Sequence, residues 1–202
     1  MTMIVWILGS MASGKTTQSR MLLKNLGEGE EKVVHTVYED RNIIYTRKGN
    51  VAVIGQMKNG VATGGIDPVM SKLKVEGVVA SIKEANKHCS LVVVEGAQAA
   101  ATWLPAIKEL DENFVLVHLE LSFENNFRRL KQRQHKKDSK GLEDWRDVEL
   151  IDNNFISIIG KSKQYRNLFH KIKGETVNSL QIDATKDEET IHKQILSLIY
   201  EN

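Results

Sequence analysis

Gly9-Ser-Met-Ala-Ser-Gly14-Lys15-Thr16 combines residue types at a spacing that suits holding a polyphosphate. Gly9 and Gly14 permit backbone conformations and close approaches that a Cβ would obstruct. Successive N–H groups of Gly9, Ser10, Met11, Ala12, Ser13 and Gly14 can then point inward around a β-phosphate. A helix starting at Lys15, Thr16 and Thr17 adds its partial positive charge. Lys15 would reach the β- and γ-phosphates, and the Thr16 hydroxyl would complete the coordination of a bridging magnesium ion.

Four further groups could supply the rest of a phosphoryl-transfer site. Leu91-Val-Val-Val-Glu95 is an apolar strand closing on a carboxylate. Beside the first strand, Glu95 would face the magnesium and the γ-phosphate, as a metal ligand through water or as a base. Thr63-Gly64-Gly65-Ile-Asp67-Pro68 is a glycine-rich loop in which Asp67 can cap a helix or accept a hydroxyl proton, while Gly64 and Gly65 let a substrate approach the backbone. Glu39-Asp40-Arg41 follows the β-branched Val33–Tyr38 run, at the carboxyl end of a strand where ligands bind in open α/β sheets. Arg128, Arg129 and Arg133 open a basic segment whose planar forks suit the oxygens of a transferring phosphoryl group. A solvated surface helix is the bland alternative for that segment.

The elements that must carry these groups follow from periodicity. Met3–Leu8 is a buried strand feeding the glycine loop, and Thr17–Leu26 is a helix stopped near Gly27. Asn42–Thr46 and Val51–Ile54 read as a small hairpin around Arg47-Lys-Gly-Asn50. Pro68 to about Lys87 and Trp103–Leu110 are helical. Phe114–Leu119 is a core strand in which His118 reads as a hydrogen-bonded core residue. Trp145–Lys173 is one or two packing helices, Leu180–Asp183 a short strand, and Glu188–Tyr200 a closing amphipathic helix.

Composition sets bounds. A chain of 202 residues with 41% hydrophobic content can bury one sizeable core, so residues 1–202 are expected to form one domain. No run of eighteen apolar residues and no leader or cleavage pattern is present, so neither a membrane partner nor export is expected. A single cysteine, Cys89, excludes a disulfide framework or zinc cluster and reads as a half-buried thiol in a reducing cytoplasm. The net charge of +2 does not by itself imply nucleic-acid binding.

The order of phosphate loop, strand ending in acid, arginine-rich segment and late Leu180-Gln-Ile-Asp183-Ala-Thr185 resembles the nucleoside and nucleotide kinase group of P-loop proteins. That resemblance implies an α/β three-layer fold with a five-stranded parallel sheet of order 2-3-1-4-5. It implies ATP and Mg2+ as cofactors, a lid over residues 128–141, and Asp183 and Thr185 near the adenine. Residues 42–67 would form an acceptor-site hairpin and loop in place of the arginine-bearing helical site of nucleoside monophosphate kinases. Glu39-Asp40-Arg41 is similar in position to the acidic base of deoxynucleoside kinases. Thr63-Gly-Gly-Ile-Asp67 looks like the loop of phage-type kinases acting on 5-hydroxymethyluracil in DNA, which would place the chain in the host cytoplasm.

The implied activity is transfer of the ATP γ-phosphate to a hydroxyl of a nucleotide, with DNA containing modified pyrimidines as a candidate partner. The basic segment suits such a backbone. The alternatives are a nucleoside monophosphate kinase in which Arg41 and Arg47 clamp the acceptor phosphate, a free deoxynucleoside kinase, and a nucleotide-binding switch or ATPase subunit. Either a monomer or a homodimer is compatible with the sequence.

Overall fold

The computed structural model describes residues 2–57, 64–96, 106, 110, 113–138, 144–150, 152–173 and 178–201, without the side chains of 137–138 and 152–158. Strand β1 (Met3–Gly9) lies between β5 (Leu91–Glu95) and β6 (Asn113–Glu120), parallel to both. Buried on both faces, β1 sends Ile4, Trp6 and Leu8 into one core and Val5 and Ile7 into the other, because strand side chains alternate.

Helices α2 (Met70–Asn86) and α4 (Asp152–Lys173) supply the first core, with Leu73, Val78, Ile82, Leu168 and Phe169. Helices α1 (Lys15–Leu26) and α5 (Glu188–Tyr200) supply the second, with Leu22, Leu23, Ile191 and Ile195. The sheet is the middle of three layers, and β7 (Asn178–Asp183) pairs parallel to β6.

Among the described residues the sheet has seven strands, not five, in the order β2-β3-β4-β5-β1-β6-β7. The difference arises at the hairpin. Strand β4 (Val51–Ile54) pairs parallel with β5, in the position expected for Val33–Tyr38. Its partner β3 (Arg41–Lys48) runs antiparallel beside it, and β2 (Glu31–Tyr38) becomes the edge. All four β4 residues are buried, so joining the main sheet removes more apolar surface from water than a separate hairpin could.

Two sequence expectations about turns also change. Glu39 and Asp40 have φ of 48° and 59°, the left-handed backbone of a two-residue hairpin turn joining Tyr38 to Arg41. Asp67 does not cap its helix. It is the first residue of a 3-10 turn, Asp67–Val69, whose N-cap is Ile66 and which has no side-chain cap bond. Helix α2 follows, interrupted at Lys74 (φ 51°, ψ −174°). Cys89 is fully buried rather than half-buried, and burial pushes its thiol pKa up. The expected Trp103–Leu110 helix lies outside the described residues except for Ala106 and Leu110.

Candidate active site

At the carboxyl edge of β1 the chain turns through Ser10–Gly14 into α1. Ala12 holds a left-handed φ of 59°, at a cost of about 1 kcal/mol. Gly14 holds φ 97° as the N-cap, where a side chain would be strained. The first turn of α1 has no acid and no side-chain cap, so its N–H groups face the cleft with the helix dipole behind them. This is a ready anion cradle.

Lys15 is 7% exposed, and its ammonium donates to the Gly9 and Ser10 carbonyls at 2.8 and 2.9 Å. Burial lowers its pKa, opposed by the negative charges of Glu95 and Asp67. Thr16 donates its hydroxyl to Glu95 Oε1 at 3.0 Å. Glu95 is 1% exposed, and its carboxyl is pushed up to about 7, first by burial and also by Asp67, while Lys15 and the Thr16 bond pull it down.

Gly65 explains how the second loop reaches this acid. At φ 65°, a Cβ there would stand 2.5 Å from both Glu95 Oε1 and the Glu95 carbonyl, so only glycine lets the loop pass behind the carboxylate. The loop is pinned by Gln56 N–H to the Gly65 carbonyl at 3.0 Å and Ile66 N–H to the Glu95 carbonyl at 3.1 Å. Asp67 is thereby delivered to the cleft.

The cleft has a volume of about 460 Å³. It is lined by Met11, Ala12, Ser13, Gly14, Lys15, Thr16, Thr17, Gly64, Asp67, Glu95, Arg129 and Arg133 of the sequence candidates. Helix α3 (Phe123–Asp138) brings the arginines. Arg129 donates to the Ala12 carbonyl at 3.2 Å and to the Ala184 carbonyl at 2.6 Å, joining the phosphate loop to the loop after β7. Arg128 is exposed and does not line the cleft.

Other candidates are placed elsewhere. Arg47 pairs with Ala52, at the amino end of the parallel strands, and donates to the Gly49 carbonyl at 2.7 Å. Arg41 lies four residues beyond the last β3–β4 pair, about 13 Å along the strand. Its neighbours hold the hairpin to α2, with the Asn42 amide donating to the Lys72 carbonyl at 3.2 Å and the Lys87 ammonium 4.4 Å from the Tyr38 ring centroid. Glu39 and Asp40 form the tip and are exposed. Asp183 accepts from the Thr185 N–H and hydroxyl at 2.8 and 2.7 Å, which shapes the loop whose Lys186 lines the cleft. Thr63 lies outside the described residues.

The sequence reading missed two buried groups. Asn126 of α3 donates to the Ser10 hydroxyl and, at 3.4 Å, to the Ser162 hydroxyl, tying the arginine helix to the phosphate loop. Tyr165 of α4 is 1% exposed with the Lys15 ammonium 5.9 Å from its ring centroid, and burial followed by the negative charges of Asp67 and Glu95 raises its pKa. Helical periodicity had absorbed Tyr165 into packing. Asn126 carried no local signal beyond a polar pair in a basic helix.

Known structures share this fold. Over 100% of this chain and 94% of the other, it is similar to shikimate kinase from Acinetobacter baumannii in complex with shikimate, with a TM-score of 0.52 and 16% identity. The chain has the fold of the P-loop kinases. Deoxyadenosine kinase from M. mycoides with bound dATP matches over 98% and 99% of the two chains, with a TM-score of 0.50 and 14% identity. The Bacillus subtilis YorR protein in complex with phosphorylated GDP covers 98% and 95%, at 0.50 and 11%. No protein-family profile and no curated protein sequence matches the chain.

A P-loop kinase fold at this identity establishes architecture, so the chemistry rests on the residues. Thr16 and Glu95 offer hard oxygen ligands, which fit magnesium when phosphate oxygens and waters complete the set. Among the described residues no cluster of three or more His, Cys, Asp or Glu could hold a metal unaided. No described helix is long and apolar enough to cross a membrane.

Proposed function

We propose that the protein is an ATP-dependent kinase that phosphorylates a hydroxyl group of a nucleotide, with the hydroxymethyl group of 5-hydroxymethyluracil in DNA as the acceptor. The observation that carries this reading is the pairing of charges in the cleft. The carboxylates of Asp67 and Glu95 share the cleft with Lys15, together with Arg129, Arg133, Lys186 and Glu188, while Arg41 and Arg47 do not line it. A hydroxyl acceptor benefits from a carboxylate that takes its proton, whereas a phosphate acceptor needs cations against repulsion.

The roles divide by contact. Lys15 exchanges its bonds to the Gly9 and Ser10 carbonyls for phosphate oxygens, and the α1 N-terminus receives the β-phosphate. Thr16 and Glu95, already bonded to each other, would hold magnesium, which when bound neutralises charge on the β- and γ-phosphates. Asp67 accepts the acceptor's proton as its oxygen bonds to the γ-phosphorus, and the bond to the β-phosphate oxygen breaks, leaving ADP. Arg129 and Arg133 face the charge that spreads over the moving phosphoryl group.

Transfer of labelled γ-phosphate from ATP to a panel tests this reading. The panel is free nucleosides, nucleoside monophosphates, plain DNA and DNA containing 5-hydroxymethyluracil. Label in the modified DNA is expected. Label confined to monophosphates would overturn the hydroxyl assignment, label confined to free nucleosides would overturn the DNA acceptor, and ATP turnover indifferent to every acceptor would make the protein an ATPase or switch.

A further inference from the structure

Asp67 reaches the cleft on a segment whose own backbone needs partners. Gly65 is buried, so both of its polar groups must be satisfied within the protein. The segment after β4 supplies both. Gln56 N–H donates to the Gly65 carbonyl at 3.0 Å, and Gly65 N–H donates to the Met57 sulfur, Sδ, at 3.3 Å. Met57 is 3% exposed and is itself anchored, its N–H donating to the Thr46 hydroxyl at 2.8 Å while that hydroxyl donates to the Gly55 carbonyl at 3.3 Å. Thr46 is fully buried in β3, so the thioether hangs from a fixed point of the sheet.

The sulfur meets the same loop from a second direction. A Cβ built on Gly64 would stand 2.6 Å from Met57 Sδ and 3.0 Å from Thr16 Cγ2, so the sulfur and the Thr16 methyl both rest on this glycine. Past Ile66, the Asp67 carboxylate lies over Gly96, where a Cβ would be 2.9 Å from Oδ1. We propose that Met57 is a positioning residue whose thioether, by accepting the Gly65 N–H, sets where the Asp67 carboxylate stands relative to Thr16 and the phosphate loop. The proposal rests on the reading of Asp67 as the group that takes the proton of the substrate hydroxyl. A thioether suits this place because its unbranched stem adapts to an irregular gap and its sulfur is still a weak acceptor. Leucine would fill nearly the same volume but offer no lone pair, leaving the Gly65 N–H buried without its partner.

The test is Met57→Leu, alone and combined with Asp67→Asn. The readouts are kcat with the substrate labelled in the panel above, thermal stabilisation by ATP and magnesium, and hydrogen exchange of the Gly65 amide. Met57→Leu is expected to lower kcat by about 10-fold or more, since a displacement of about 1 Å can cost about 10²-fold, with stabilisation by ATP kept and Gly65 exchange quickened. In the Asp67→Asn background the same change should cost nothing further, because the carboxylate it positions is already gone. Wild-type kcat in Met57→Leu, beside a slow Asp67→Asn, would overturn the role of Met57 and leave that of Asp67 standing. An equal loss in both backgrounds, or a loss of ATP stabilisation in step with kcat, would make Met57 a packing residue. Wild-type kcat in Asp67→Asn would remove the proton-acceptor reading and the positioning role with it. Should Met57→Leu fail to fold, Thr46→Val, which releases the Met57 backbone, is read in its place against the same outcomes.

Discussion

The middle of the sheet and its β2–β3 flank are built from similar β-branched residues and do opposite things. Strands β1 and β5 are interior, and their last residues are anchored, Gly9 by pairing with Leu119 and Glu95 by pairing with Ile7 and by the Ile66 N–H to its carbonyl, so the phosphate loop and Glu95 meet the cleft from fixed positions. Strand β2 is exposed along most of its length, with Val37 64% exposed, and near its hairpin tip Tyr38 meets the Lys87 ammonium just past α2. A charge acquires chemistry here from the rigidity of what carries it, because transition-state stabilisation requires groups already in place.

Substitutions should separate the two regions sharply. Lys15→Ala is expected to lower phosphoryl transfer by about 10³-fold or more, with thermal stability kept, since a buried cation is removed together with its desolvation cost. A fall in melting temperature matching the loss of activity would make Lys15 structural. Asp67→Asn should lower kcat by roughly 10²–10⁴-fold with little change in ATP affinity. Glu39→Gln and Asp40→Asn on the hairpin should change kcat less than 2-fold, and a larger effect would bring the hairpin into the site.

Stability should distinguish the regions as well. His118 of β6 is 4% exposed, stacks on Phe169 with centroids 5.1 Å apart, and is pushed down by burial to about 4. The unfolded chain, with a histidine pKa near 6.5, binds more protons between those values, so stability is full above about pH 6.5 and falls towards pH 4. The loss should approach about 3 kcal/mol, and chemical denaturation of His118→Leu across that range should show a flatter slope. The smallest effect is expected from Arg47→Ala, which removes a bond to the Gly49 carbonyl at the far end of β3 and should cost about 1 kcal/mol with activity unchanged. Loss of acceptor binding in that variant would revive a phosphate clamp.

What could be read in the sequence was what is decided locally. The phosphate loop is a short-range pattern, and the strands and helices around it announce themselves by period. The joining of Val51–Ile54 to β5 is a long-range choice, and four apolar residues serve equally as a hairpin arm or as an interior strand. That choice reverses the direction of β3 relative to the cleft and carries Arg47 to the wrong end of the sheet. Glu39-Asp40 looked like a strand terminus because nothing in its neighbours declares the left-handed turn. The Asn126 bond to Ser10 joins residues 116 apart, a proximity that only the parallel pairing of β6 with β1 creates.

The two bonds of Lys15 to the Gly9 and Ser10 carbonyls also bear on time. On the proposed function, nucleotide arrival would swap the two loop carbonyls that hold Lys15 for phosphate oxygens, leaving the lysine in place. Association should therefore proceed in one phase whose rate rises linearly with nucleotide concentration, without the plateau that a slow rearrangement of the loop would impose.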